Sequence, residues 1–150
     1  MIMIMSKNSM TSRVLGVFAV ALGLIVAVVP HYVFPVCQYS GMLVQTMAGT
    51  YIPMRCYWTA TAEVGLGAVI VVTGLLLFVS RHIETRMALG FVLGALGAVA
   101  ALVPTYLIGV CANPMHPCRI ATQPALVLLG MVTVIFAIIA IATARGAPRE

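Results

Sequence analysis

The chain has 150 residues, of which 63% are hydrophobic and 7% are charged. A soluble globular protein carries about 25% charged residues. With eight Lys or Arg and three Asp or Glu, this chain has too few polar groups to cover the surface of a soluble particle. The composition therefore excludes a soluble enzyme, a nucleic-acid-binding domain and a disordered chain. The net charge of +5 does not indicate nucleic-acid binding, because the basic residues are scattered.

Four segments are long and apolar enough to cross a bilayer, which requires about 20 mostly apolar residues. They run from Val14 to about Tyr32, from about Thr61 to Ser80, from Met87 to about Ile108, and from about Ala121 to Thr143. Residues 81–86 are a tight polar turn that makes the second and third spans an antiparallel hairpin. The basic residues ahead of the first span are also typical of a signal peptide, but no clear cleavage site follows that span.

The distribution of basic residues predicts the orientation of the spans. Six Lys or Arg lie on one side of the membrane: Lys7, Arg13, Arg81, Arg86, Arg145 and Arg149. The other side has only Arg55 and Arg119. Because cytoplasmic loops carry the excess of basic residues, we expect a multi-pass protein of the cell inner or plasma membrane with both termini in the cytoplasm. The outer segments are then about 33–60 and about 109–120.

An internal duplication relates the two halves of the chain. Residues 15–37 align with residues 89–111 at 11 of 23 positions, and both segments end in V-P-x-Y-x-x-x-V-C. The first repeat covers about 14–80 and the second about 87–143, and each contains two spans. Since each repeat has an even number of spans, the two insert the same way round. The sequence therefore predicts one integral membrane domain over 1–150, an all-α four-helix bundle built from two parallel helix-hairpin repeats.

All four cysteines fall in the predicted outer segments: Cys37, Cys56, Cys111 and Cys118. An even number of cysteines in an oxidising compartment indicates disulfides. The repeat favours the pairs Cys37–Cys56 and Cys111–Cys118, each closing the outer loop of one hairpin. Crossed pairings, which would join the two halves, remain open.

The outer segments also contain residues that suit a soft metal ion. His31, Met115 and His116 lie there together with the cysteines, and such side chains bind copper and related ions. The spacing matches no strong metal signature such as paired CxxC. We therefore expect no cofactor, with copper or iron as the alternative.

Glu63 is the one acidic residue near the interior of a span. An intramembrane acid is a candidate for a transport or proton role. The favoured interpretation is an interfacial anchor near the start of its helix, stabilised by the helix N-terminus or by pairing with Arg55 or Arg119.

Small residues mark one face of the first and third spans, at positions Gly16, Gly23, Gly90, Gly94 and Gly97. Small residues let membrane helices approach closely. We expect these glycines to pack within the bundle, and contact with a second membrane protein is the alternative.

The cysteine-containing outer signature carries a family resemblance. It comprises Cys37, the run Met54-Arg-Cys-Tyr-Trp-Thr-Ala60, and the run Cys111-Ala-Asn-Pro-Met-His-Pro-Cys-Arg119. The chain resembles a family of small bacterial and archaeal four-helix membrane proteins catalogued as a domain of unknown function, over about residues 13–143. The resemblance implies four spans, no assigned activity, and frequent association with ABC-transporter permeases of the macrolide-exporter type.

Two function classes follow from these observations. We predict a non-enzymatic integral membrane subunit or scaffold, an accessory to such an ABC-type permease, whose partners are the lipid bilayer and another membrane protein or a second copy of itself. The alternative is a membrane protein that handles copper, iron or a cofactor through outer Met, His and Cys residues. We expect no nucleic-acid partner.

Overall fold

The interior of a bilayer contains no water that could hydrogen-bond to the backbone. The long apolar runs of the sequence therefore form helices, in which backbone N–H and C=O groups bond to one another within the same segment. The computed structural model describes residues 2–34, 36, 44–52, 55–112 and 115–146. Its α-helices are α1 (Ile2–Val28), α2 (Arg55–Val79), α3 (Ile83–Leu102) and α4 (Gln123–Arg145). Three π-helical segments extend them: Val29–Val33 after α1, Val103–Leu107 after α3 and Cys118–Thr122 before α4. All four helices are long and apolar enough to cross a membrane, which confirms the predicted number of spans.

Three helix starts differ from those predicted, beginning with that of α1, which lies at Ile2 and not at Val14. Helix α2 begins at Arg55, before the expected start at Thr61, and the polar turn shortens to residues 80–82 because α3 begins at Ile83. Glu84 in the first turn of α3 stabilises this early start, since an acidic group is favourable at a helix N-terminus. Arg86 consequently lies within the helix and is buried.

A short β-hairpin lies between α1 and α2, where the sequence analysis expected only a loop. Its strands, β1 (Val44–Gln45) and β2 (Tyr51–Ile52), pair antiparallel. The side chain of Thr46 stabilises the turn by donating a 3.0 Å hydrogen bond to the carbonyl oxygen of Thr50. Strands of two residues are too short to show an alternating pattern, so sequence periodicity could not reveal them.

The helices pack most extensively in the pairs α1–α2 and α3–α4, and less extensively in the pairs α2–α3 and α1–α4. Near the middle of the bundle, each helix contributes one buried side chain to a common cluster: Ala19, Ile70, Leu93 and Ala137. On α1 and α4, the rings of Phe18 and Phe136 stack with centroids 5.4 Å apart. All four helices therefore contribute to this central cluster.

Glycines set the close approach within the α1–α2 pair. A β-carbon on Gly23 would lie 2.8 Å from the carbonyl oxygen of Gly67, and one on Gly67 would lie 2.6 Å from that of Gly23. Nearer the other end of the pair, a β-carbon on Gly16 would lie 2.7 Å from the backbone nitrogen of Phe78. The α1–α2 contact thus depends on the absence of side chains at these positions.

The α3–α4 pair has the same kind of contact. A β-carbon on Gly97 would lie 2.9 Å from the carbonyl oxygen of Gly130, and one on Gly90 would lie 2.7 Å from a side-chain carbon of Ile141. Gly94 is less tightly packed, because its β-carbon would meet that of Ala137 at an ordinary 3.4 Å. Gly130, which the sequence analysis did not single out, is therefore a principal contact of this pair.

Candidate functional site

Three cysteines meet at the end of the bundle where α1 and α3 end and α2 and α4 begin, which we call the cysteine end. The sulfur atoms of Cys56, Cys111 and Cys118 all lie within 4.8 Å of one another. The Sγ atoms of Cys56 and Cys111 are 3.4 Å apart. Cys56 and Cys118 are fully buried, whereas Cys111 is partly exposed. We call these three residues the thiol cluster.

The structure does not show the predicted disulfide Cys111–Cys118. No disulfide bond joins Cys56, Cys111 and Cys118 to one another in the described part of the chain. The other favoured pair, Cys37–Cys56, includes Cys37, which lies outside the described residues. The contact between Cys56 and Cys111 instead brings together one cysteine from each half of the chain.

The thiol cluster lies in an apolar environment. Val36, Cys56, Ala60 and Cys118 form a buried cluster, and Val110 and Cys111 pack against it. Cys56 is positioned by the first turn of α2, and Cys118 begins the π-helical segment that leads into α4. The two buried thiols therefore lie at the N-terminal ends of two membrane-spanning segments.

Two threonine hydroxyls connect the halves of the chain beside the thiol cluster. Thr59 donates a 2.6 Å hydrogen bond to the carbonyl oxygen of Gly109, and Thr122 donates a 3.1 Å hydrogen bond to that of Phe34. Gly109 has a φ of +78°, a left-handed conformation that favours glycine and ends the segment after α3. Each threonine thus donates a hydrogen bond to a backbone carbonyl oxygen near the end of a helix in the opposite half of the chain.

Replacing Thr59 by valine is expected to lower the free energy of unfolding by about 1–2 kcal/mol, because the carbonyl group of Gly109 loses its hydrogen-bond donor. Thr61→Val is the matched control, since the exposed hydroxyl of Thr61 donates only to Tyr57 of its own helix. We expect the control to change stability by less than about 0.5 kcal/mol. Unfolding by SDS in detergent micelles measures both variants, and equal stability losses would contradict this assignment.

Proline explains the π-helical segments at the ends of α1 and α3. Pro30 and Pro104 each lie at the second residue of a π-helical segment, and both are buried. Because proline has no backbone N–H and its ring collides with the preceding turn, it disrupts the regular α-helical hydrogen bonds. The segments Val29–Val33 and Val103–Leu107 are the resulting local rearrangements, and they deliver Val36 and Cys111 to the cysteine end.

Glu63 is enclosed by the bundle, whereas the sequence favours an interfacial position. Its side chain has 0% exposure, and neither carboxyl oxygen has a hydrogen-bond partner. The expected ion pair with Arg55 or Arg119 does not form, since both of those arginines are exposed and Glu63 makes no such contact within the described ranges. The carboxyl group is instead enclosed in the core of the bundle two turns after Cys56.

Within the described residues, neither histidine proposed for metal binding from the sequence joins the thiol cluster. Met115 is 80% exposed, and His31 and His116 are partly exposed. In the described residues, the group of potential ligands at this end contains the three cysteines and neither histidine. His116 is a candidate metal ligand from the sequence because it lies between Cys111 and Cys118 in the chain. Sequence spacing could not reveal that Cys56 lies close to Cys111 in space.

A family model described as a domain of unknown function, DUF4418, matches residues 2–143. This match confirms the resemblance drawn from the cysteine-containing signature. No curated protein and no solved structure matches the chain.

Proposed function

We propose that this chain, which belongs to the DUF4418 family, is a non-enzymatic integral membrane subunit that packs against another membrane protein. The partner that we propose is an ABC-type permease resembling macrolide exporters, as the sequence resemblance implies. Its four apolar helices support membrane insertion. Because six basic residues lie in the predicted inner segments and two in the outer segments, we propose cytoplasmic termini.

The observation that carries this proposal is the position of Gly65 on α2. A β-carbon on Gly65 would have no atom within 4 Å, so this glycine takes no part in packing inside the bundle. Thr61, Gly65 and Ala68 are exposed and follow one another at helical spacing. They form a shallow strip on the outside of α2, which we call the α2 strip. Small residues of this kind let the backbone of a neighbouring membrane helix approach closely.

We propose in addition that the bundle is a duplicated helix hairpin. The glycine contacts support this, since Gly23 meets Gly67 in one half as Gly97 meets Gly130 in the other. The hydrogen bonds of Thr59 and Thr122, which each cross to the opposite half, support it as well.

One irregularity fits the same duplication. Thr59 follows Cys56 by three residues, whereas Thr122 follows Cys118 by four. The π-helical segment Cys118–Thr122 accommodates the additional residue, because a π-turn is a one-residue expansion of an α-helix. After this segment the residues of α2 and α4 correspond one to one, counted from Thr59 and Thr122. Leu126 therefore corresponds in α4 to Glu63 in α2.

Replacing Gly65 by leucine is expected to abolish co-purification of the permease, because the larger side chain would fill the α2 strip. The tagged wild-type chain, extracted in mild detergent, should retain the permease in quantitative mass spectrometry. Ala95→Leu is the matched control, since Ala95 is an exposed small residue on α3. We expect this control to retain the permease.

Three results would contradict the proposal: no permease with the wild-type chain, the permease retained by Gly65→Leu, or its loss from both variants. Association of tagged with untagged copies of the chain in place of a permease would show that the strip binds a second copy.

A further inference from the structure

We propose that Cys56, Cys111 and Cys118 form a binding site for one soft metal ion, Cu(I) or Zn(II), at the cysteine end of the bundle. Their sulfur atoms all lie within 4.8 Å of one another, and those of Cys56 and Cys111 are 3.4 Å apart. With zinc–sulfur bonds of about 2.3 Å, a tetrahedral site places its sulfur atoms about 3.8 Å apart. The observed separations bracket this value, so small side-chain rotations suffice to ligate an ion.

The number of sulfur atoms suits a metal ion, which can bind three of them at once. A disulfide within this cluster would join two sulfur atoms, at about 2.05 Å. An ion at the centre of the triangle contacts all three. Thiolate ligands select Cu(I) and Zn(II) among the common biological metals, whereas magnesium and calcium require oxygen ligands.

The surrounding charges suit a group of negative thiolates. Cys56 lies in the first turn of α2, and Cys118 begins the segment that leads into α4. A helix N-terminus carries a partial positive charge that stabilises anions. Arg55 and Arg119 add one full positive charge beside each of these cysteines in the sequence, and both are exposed at the same end. The negative charge of a metal–thiolate group would therefore be offset from two sides.

The cluster is both held in place and accessible. The hydrogen bond from Thr59 to Gly109 fixes the start of α2 against the segment that carries Cys111. Val36 and Ala60 enclose the buried thiols on the apolar side. Cys111 is partly exposed, so an ion can reach the cluster from its side. Three protein ligands also leave one coordination position open, the arrangement of sites that exchange a further ligand.

The site is tested with the full chain in detergent, reduced and kept free of oxygen, with Cu(I) and Zn(II) added separately. After desalting, we expect one equivalent of at least one of these ions by elemental analysis. Cys111→Ser and Cys118→Ser should each weaken binding by at least about tenfold in competition with a chelator. Cys111→Ser is the safer variant, because its partly exposed side chain contributes less to the core.

His116→Ala and Met115→Ala are the controls and should bind as tightly as the wild-type chain. If these variants lose the ion while the cysteine variants keep it, the ligands are those suggested by the sequence and the thiol site is wrong. Binding of neither ion by the folded wild-type chain also overturns the proposal.

The state of the thiols in cells provides an independent test. Intact cells are treated with N-ethylmaleimide before lysis, and the peptides are identified by mass spectrometry without reduction. We expect Cys56, Cys111 and Cys118 as thiols, alkylated fully only after metal is removed. A disulfide between Cys56 and Cys111 in this sample would overturn the metal site. Neither result depends on whether a permease co-purifies, so this inference and the proposed function fail separately.

Discussion

Replacing Gly67 by alanine is expected to lower the free energy of unfolding of the bundle by about 1–3 kcal/mol. The added β-carbon would lie 2.6 Å from the carbonyl oxygen of Gly23 and 2.9 Å from the backbone nitrogen of Ala27. Both are backbone atoms of α1, which cannot rotate away as a side chain would. The two helices would have to separate, and contacts along the whole α1–α2 pair would weaken as a result.

Gly65→Ala is the matched control for this substitution, since it makes the same chemical change two residues away on α2. No atom lies within 4 Å of the position of its β-carbon. Alanine has the higher helix propensity, so we expect stability to stay equal or to rise by up to about 1 kcal/mol. SDS titration of both variants in micelles, followed by circular dichroism, measures the difference. If Gly67→Ala is as stable as Gly65→Ala, the close approach of α1 and α2 is wrong.

Replacing Glu63 by leucine is expected to raise the free energy of unfolding by about 1–3 kcal/mol. The carboxyl group is fully buried and neither of its oxygen atoms has a hydrogen-bond partner, so folding removes it from polar surroundings without compensation. Leucine has a similar size, and Leu126 is a fully buried leucine in α4. A higher free energy of unfolding in this variant would show that the carboxyl group of Glu63 does not stabilise the bundle.

Two further variants separate the loss of the carboxyl group from a change in size. Glu63→Gln keeps an unpaired polar group in the core, so we expect little gain in stability. Leu126→Glu introduces an unpaired carboxyl group and should be destabilising by an amount similar to the gain from Glu63→Leu. A loss of stability in Glu63→Leu would show that the carboxyl group has a partner that stabilises the fold.

The predictions for Glu63 and for the cysteine pairs both rest on the order of residues along the chain. The prediction for Glu63 follows from its nearness to a helix start, and the pair Cys111–Cys118 follows from the repeat, in which each cysteine pair closes one hairpin. In the structure, α2 begins at Arg55, so Glu63 lies deeper in its helix than expected. Cys56 reaches Cys111 across 55 residues because α2 and α3 are neighbours.

The polar turn is shorter than predicted for a related reason. Five of the six residues 81–86 are polar, which predicts a turn, yet α3 begins at Ile83 and Arg86 is buried. Polarity marks the edge of an apolar span, whereas the helix itself ends only where its backbone hydrogen bonds end. Helix boundaries therefore extend past the apolar runs that identify them.

The sequence by itself determined that four apolar helices cross a membrane, and it led to the family of the chain through its cysteine signature. Hydrophobicity and helix length are properties of consecutive residues, so the sequence is sufficient to predict both. Only the tertiary structure decided that Cys56, Cys111 and Cys118 converge, that Glu63 is enclosed, and that Gly65 faces outward while Gly67 faces α1. These outcomes depend on how each helix is rotated about its own axis, which packing against its neighbours decides.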